Sequence, residues 1–126
     1  MMKLDAMQRR FLIEGIKDYV GLWEYASVVR EAWGDMPLSQ ICDVVLGKVE
    51  PLLRNGLCVA GNLKEDGGFA EWDGGVERAL ERMRGEWHQL GRDPHISDIC
   101  WFMNTEAGDR AAEALVREGS EGVSDA

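Results

Sequence analysis

The sequence predicts a mostly helical α+β protein. Apolar residues recur at helical spacing along most of the chain, and two short segments dense in β-branched, aromatic and sulfur side chains read as strands. A chain of 126 residues with 45% hydrophobic content and five tryptophans is enough for one core, and two independent halves would each be too small to fold. We therefore expect a single domain over residues 1–118 and a disordered tail over 119–126.

Leu4, Met7, Phe11, Leu12 and Ile16 share one helical face and define a first helix over Asp5 to Ile16. Leu22, Tyr25, Ala26, Val29 and Trp33 form the stripe of a second, which Gly34 and Pro37 end. From Leu38 the stripe is Ile41, Cys42, Val45, Val49, Leu52 and Leu53, stopped by Asn55-Gly56. Pro51 lies inside this third run. Its ring crowds the carbonyl of Gly47, so a kink or an early end is expected there.

Leu57 to Ala60 reads as a short strand, and Gly61 to Gly75 as a long loop or irregular hairpin rich in glycine and acid. Val76, Ala79, Leu80, Met83, Trp87 and Leu90 define a fourth helix, stopped by Gly91 and Asp93-Pro94. Ile99 to Met103 is the second strand. Thr105 then stands where its hydroxyl can cap a last helix carrying Ala111, Ala114 and Leu115.

Acids outnumber Lys and Arg by 23 to 14, a formal charge of -9 that repels phosphate backbones and anionic lipid and favours a basic partner. No stretch reaches the roughly 18 to 20 apolar residues of a membrane span, and Met1 to Arg10 lacks the apolar run of a secretory signal, so the expected location is cytoplasmic. Cys42, Cys58 and Cys100 are scattered and odd in number, which points to buried free thiols rather than disulfides or a metal knuckle.

Three features in chain order resemble a winged-helix domain of the multiple-antibiotic-resistance type. They are the helix end Leu52-Leu53-Arg54-Asn55-Gly56-Leu57, the strand directly after it, and Trp101-Phe102-Met103-Asn104-Thr105-Glu106-Ala107-Gly108-Asp109, a strand running into a Thr-x-x-Gly helix start. The resemblance implies a three-helix core with a small two-stranded β element. The helix from Val76 to Leu90 would be inserted between the strands, where that family has only a tight turn. The resemblance also implies DNA reading by the third helix, but charge argues against it. Residues 1–34 carry five basic and five acidic side chains, whereas residues 35–75 carry three basic and seven acidic. The would-be reading helix offers only Lys48 and Arg54 beside Asp43 and Glu50, too few cations to neutralise phosphates.

No catalytic, cofactor or metal site is expected. His95, Asp98 and Cys100 lie close together, yet no second pair is present to complete a zinc tetrahedron, and only His88 and His95 are available for acid/base work. Gly67-Gly68 and Gly74-Gly75 fit no phosphate-binding pattern and sit beside carboxylates, so they read as turn glycines. Arg78, Arg82 and Arg84 alternate with Glu77, Glu81 and Glu86, as a solvated, salt-bridged face does. Trp23, Trp33, Trp87 and Trp101 fall on stripes or a strand and are assigned to the core.

Trp72 differs, because it stands between Glu71 and Asp73 with Phe69 nearby. Either these aromatics fold back over the core edge, or they form a surface that faces a basic protein. On the second reading Glu65, Asp66, Phe69, Glu71, Trp72 and Asp73 are the partner-binding residues, the acids attracting and Trp72 anchoring. Small size, acidity and the lack of a catalytic set are similar in general character to the immunity proteins of bacterial toxin systems such as contact-dependent growth inhibition. That likeness implies a basic nuclease toxin as the partner. The competing expectation is a DNA-binding regulator that uses Arg9 and Arg10, with nucleic acid disfavoured by the charge. The oligomeric state is left open.

Overall fold

The computed structural model describes residues 3–124, with side chains described as far as 119. It has the order α1 (Ala6–Glu14), β1 (Val20–Gly21), α2 (Leu22–Trp33), α3 (Leu38–Arg54), β2 (Cys58–Leu63), β3 (Phe69–Glu71), α4 (Gly75–Leu90), β4 (Trp101–Asn104) and α5 (Glu106–Ser124). The mostly helical α+β class is as expected, and α4 is inserted between strands. The β element is larger than the two strands read from the sequence: it is a four-stranded sheet in the order β1-β4-β2-β3, antiparallel throughout.

Polar ties join the apolar stripe in fixing α1. The Asp5 carboxylate accepts from Gln8 N–H (2.8 Å), and the Gln8 side chain accepts from Asp5 N–H (2.9 Å), which closes a capping box. Gln8 Nε2 then donates to the Lys48 carbonyl (2.9 Å) and Lys48 Nζ meets Asp5 at 2.6 Å, so the start of α1 is locked to α3. Helix α1 ends at Glu14, one half-turn before the expected Ile16, which is 36% exposed. At the end of α2, Gly34 takes φ 61°. Arg30 there donates to the Gly34 and Met36 carbonyls and pairs with Asp93 at 2.7 Å, which ties the turn to the segment after α4.

Helix α3 runs unbroken to Arg54 despite Pro51, so the early end does not occur. Its stripe Ile41, Cys42, Val45, Leu46, Val49, Leu52 and Leu53 is wholly buried, and each fully buried aliphatic is worth about 1.5–3 kcal/mol. That outweighs the one hydrogen bond that proline cannot make. The helix closes where expected. Gly56 takes φ 69°, Leu57 N–H donates to the Leu52 carbonyl (2.9 Å) and Asn55 Nδ2 to the Pro51 carbonyl (2.7 Å).

The expected threonine cap is present at α5: Thr105 Oγ1 accepts from Gly108 N–H at 3.0 Å and donates to the Gly56 carbonyl at 2.5 Å. The tail expected from Gly119 is helical as far as Ser124, and residues 125–126 lie outside the described residues. The second strand begins at Trp101 rather than Ile99. Ile99 takes φ 71° and Ser97 φ 68°, a left-handed conformation that a strand excludes and that costs a β-branched residue strain.

One core joins helices and sheet, from Phe11 and Tyr25, whose rings lie 4.3 Å apart, to Phe102, which meets Tyr25 edge-on at 5.7 Å. The three cysteines are free and buried in it, and burial pushes the Cys58 thiol up to about 12. Trp87 is buried at 1%, as expected, but Trp33 is 46% exposed. No helix of the described residues is long and apolar enough to cross a membrane.

Candidate binding surface at the acidic hairpin

The glycine-rich segment folds as a hairpin. Lys64 N–H donates to the Gly68 carbonyl (2.7 Å) and Gly67 N–H to the Lys64 carbonyl (2.9 Å), while Asp66 turns its carboxylate back onto Gly68 N–H (2.8 Å). Gly67 is needed at φ 88°, as the turn-glycine reading expects. Strand β3 then pairs Leu63 with Phe69, Asn62 with Ala70 and Gly61 with Glu71.

Directly paired residues of an antiparallel sheet point to the same side, so the register sorts the faces. Val20, Phe102 and Ala60 form one row, all buried against the helices. The next row, Gly21, Trp101, Gly61 and Glu71, points away from the core, as do the pairs Val59 with Met103 and Leu63 with Phe69. Val59, Phe69, Trp101 and Met103 are half-buried, Leu63 is 39% exposed, and none belongs to the core cluster. Tyr19, just before β1, lays its ring 5.3 Å from that of Phe69. Gly61 makes room: a Cβ there would stand 2.2 Å from the Ala70 carbonyl oxygen and 2.8 Å from the Phe69 ring.

This geometry divides the six residues singled out in the sequence. Glu65 and Asp66 are exposed at the tip, and Phe69 and Glu71 lie on the outer face. Trp72 falls on the opposite side because it is one residue further along the strand direction. It is half-buried against the core, its Nε1 donates to Asn62 Oδ1 (2.6 Å), and the Arg82 guanidinium stacks on it at 3.9 Å. Exposed Asp73 borders the same hollow as Trp72, Arg78 and Arg82. The aromatic beside the exposed acids is thus Phe69 with Tyr19 and Trp101, and Trp72 joins the hairpin to α4. Trp101, expected in the core from its place on a strand, is half-buried on the outer face instead, because successive strand residues point to opposite sides. The alternation of half-buried Trp101 and Met103 about buried Phe102 is the signal that separates the faces.

None of the carboxylates of Glu65, Asp66, Glu71 and Asp73 makes an ion pair among the described residues, whereas Asp43, Glu50, Glu77, Glu86, Asp93 and Asp98 all do. Lys64 is the one base between residues 61 and 77. Asp18, next to Tyr19 in the chain, is also exposed.

The other candidates resolve differently. The Asp98 carboxylate accepts from His95 N–H (2.8 Å) and from Arg92 (2.9 Å), which hold it below its ordinary pKa, while Cys100 turns into the core at 0% exposure. The three therefore share no site. Among the described residues no group of three His, Cys, Asp or Glu comes together to hold a metal. Of the α4 arginines, Arg82 pairs within the helix to Glu86, but Arg84 reaches Asp43 and Glu77 receives Arg54, so these pairs fasten α4 along α3. Comparison with protein-family models, with curated proteins and with solved structures gives no match.

Proposed function

We propose that this chain is a non-catalytic protein-binding module that docks a basic protein on the outer face of its sheet. The observation that carries the reading is the placement of unpaired Glu65, Asp66 and Glu71 around the solvent-facing aromatics Phe69, Tyr19 and Trp101. Apolar rings supply area that gains from desolvation, and carboxylates outside any internal ion pair give up none on meeting Lys or Arg, while Asp66 keeps its bond from Gly68 N–H. Opposite charge also speeds the encounter. The specific form we propose is an immunity protein that neutralises a basic nuclease toxin of a contact-dependent growth inhibition or similar system.

The test is calorimetric titration with the variable carboxy-terminal region of a large secreted protein encoded immediately upstream. Association at low salt that weakens as salt rises supports the reading, and no association at low salt refutes it.

The second reading is a winged-helix transcription regulator. In its favour is the element order, a helix, a short strand and two helices followed by the sheet order β1-β4-β2. Against it stand the cations of α3. Lys48 is paired to Asp5, and Arg54 is paired to Glu50 and Glu77. Retention of duplex DNA at low salt with a steep salt dependence would favour this reading over ours.

A further inference from the structure

The groove between α3 and α4 holds about 660 Å³, within the usual span of small-molecule pockets. Half-buried Leu38 gives it an apolar wall, and buried Cys42 and Trp87 lie at its floor. Trp87, at the floor of the groove, is 1% exposed, and its Nε1 is buried without an acceptor among the described residues. The first turn of α3 opens on the same groove. Its cap position is Pro37, which has no side-chain acceptor, and no acid stands in that turn, so the positive end of a 17-residue helix is uncompensated.

Across the groove, α4 presents Glu81, Arg84, Gly85 and His88, one stripe along the helix. Arg84 engages Asp43 through Nη1 alone, which leaves other guanidinium donors uncommitted. Glu81 and His88 are separated by seven residues, about 10 Å along the axis, so an anion placed at the His88 end stands clear of Glu81. Gly85 bears on the groove in a second way. Mid-helix glycine weakens a helix, and a Cβ at 85 would meet nothing within 4 Å, so close packing does not require it. What it does is keep the groove wall bare.

We infer that this groove binds a small molecule with a flat apolar body and one anionic group. The body lies along Leu38 and the bare backbone of Gly85, above buried Cys42 and Trp87, and the anion is directed to the start of α3 beside Arg84 and His88. The inference is independent of the hairpin surface.

The experiment titrates the protein with 8-anilino-1-naphthalenesulfonate and, separately, with uncharged N-phenyl-1-naphthylamine, by calorimetry. Alkylation of Cys42 is followed by mass spectrometry in the same samples. The expected result is saturable one-to-one binding of the sulfonate, at least tenfold weaker binding of the neutral probe, and slowed Cys42 alkylation when the sulfonate is bound. Gly85→Leu, whose Cβ meets nothing within 4 Å and whose side chain would occupy the groove, should weaken sulfonate binding at least tenfold while the thermal midpoint is unchanged or raised. Ser39→Trp, at an exposed position on the opposite wall, should do the same and serves if Gly85→Leu perturbs the helix. Sulfonate binding that is equally tight in both variants, equal affinity for the neutral probe, or unprotected Cys42 would each overturn the inference.

Discussion

Two glycines in helices respond to the same substitution with opposite signs, and the structure says why. Gly85 sits within α4 with open space where a Cβ would go, so Gly85→Ala gains helix propensity at no steric cost and should stabilise by about 0.5–1 kcal/mol. Gly108 sits in the first turn of α5, and a Cβ there would stand 1.8 Å from the Leu57 carbonyl oxygen and 2.9 Å from its carbon. Both atoms belong to backbone, so either the start of α5 or the segment between α3 and β2 must move by more than 1 Å to reach ordinary contact of about 3.2 Å or more. That carbonyl also accepts from Thr105 N–H at 3.0 Å, and Thr105 holds the Gly56 carbonyl, so the movement disturbs the cap as well.

Overpacking of about 1–3 kcal/mol and a weakened cap of about 1 kcal/mol outweigh the propensity gain, which leaves Gly108→Ala about 1.5–3 kcal/mol less stable. For a chain of this length that corresponds to a fall in melting temperature of about 5–15 °C. Urea unfolding is the assay, read as a shift in midpoint at constant slope. Gly108→Ala as stable as the parent protein, or Gly85→Ala less stable, would refute the reasoning.

At the hairpin, Glu65→Lys with Glu71→Lys should slow association with the basic partner at least tenfold and flatten its salt dependence, measured by stopped-flow mixing; an unchanged rate removes these residues from the surface. Asn62→Ala should cost about 1–3 kcal/mol in urea unfolding, because it strands Trp72 Nε1 and also frees the Ile99 carbonyl, to which Asn62 Nδ2 donates at 3.2 Å. Burial raises the Asp5 carboxyl, but the hydrogen bonds from Lys48 and Gln8 outweigh it and leave the pKa below its ordinary 3.8. Its contribution is therefore present above pH 3.8 and lost as pH falls through the lowered value, and Lys48→Met should reduce that acid sensitivity in pH-dependent unfolding. Glu24 is shifted the other way, raised by burial against the bond from Gly21 N–H, so its charge opposes folding above its raised pKa. Glu24→Gln, which keeps an acceptor for that N–H, should leave stability unchanged or higher at neutral pH, and a loss there would contradict the assignment.

The local half of this protein was legible in its sequence. Helical periodicity marks each of the five helices among the described residues, because an apolar stripe is a property of neighbours three and four residues apart. Asn55-Gly56 as a stop and Thr105 as a cap were equally local, each a matter of one residue's own dihedrals or hydroxyl. Tertiary contact decided the rest. Strand β1 spans two residues and exists only because β4 pairs with it, and β3 only because the turn at Gly67 returns it to β2. Which side Trp72, Phe69 and Trp101 face follows from the register of those pairs, and a shift of one residue would have placed Trp72 among the exposed acids. The packing of α4 along α3, which occupies Arg54 and opens the groove at Gly85, joins residues 23 and 41 positions apart, and no pattern within either helix encodes that distance.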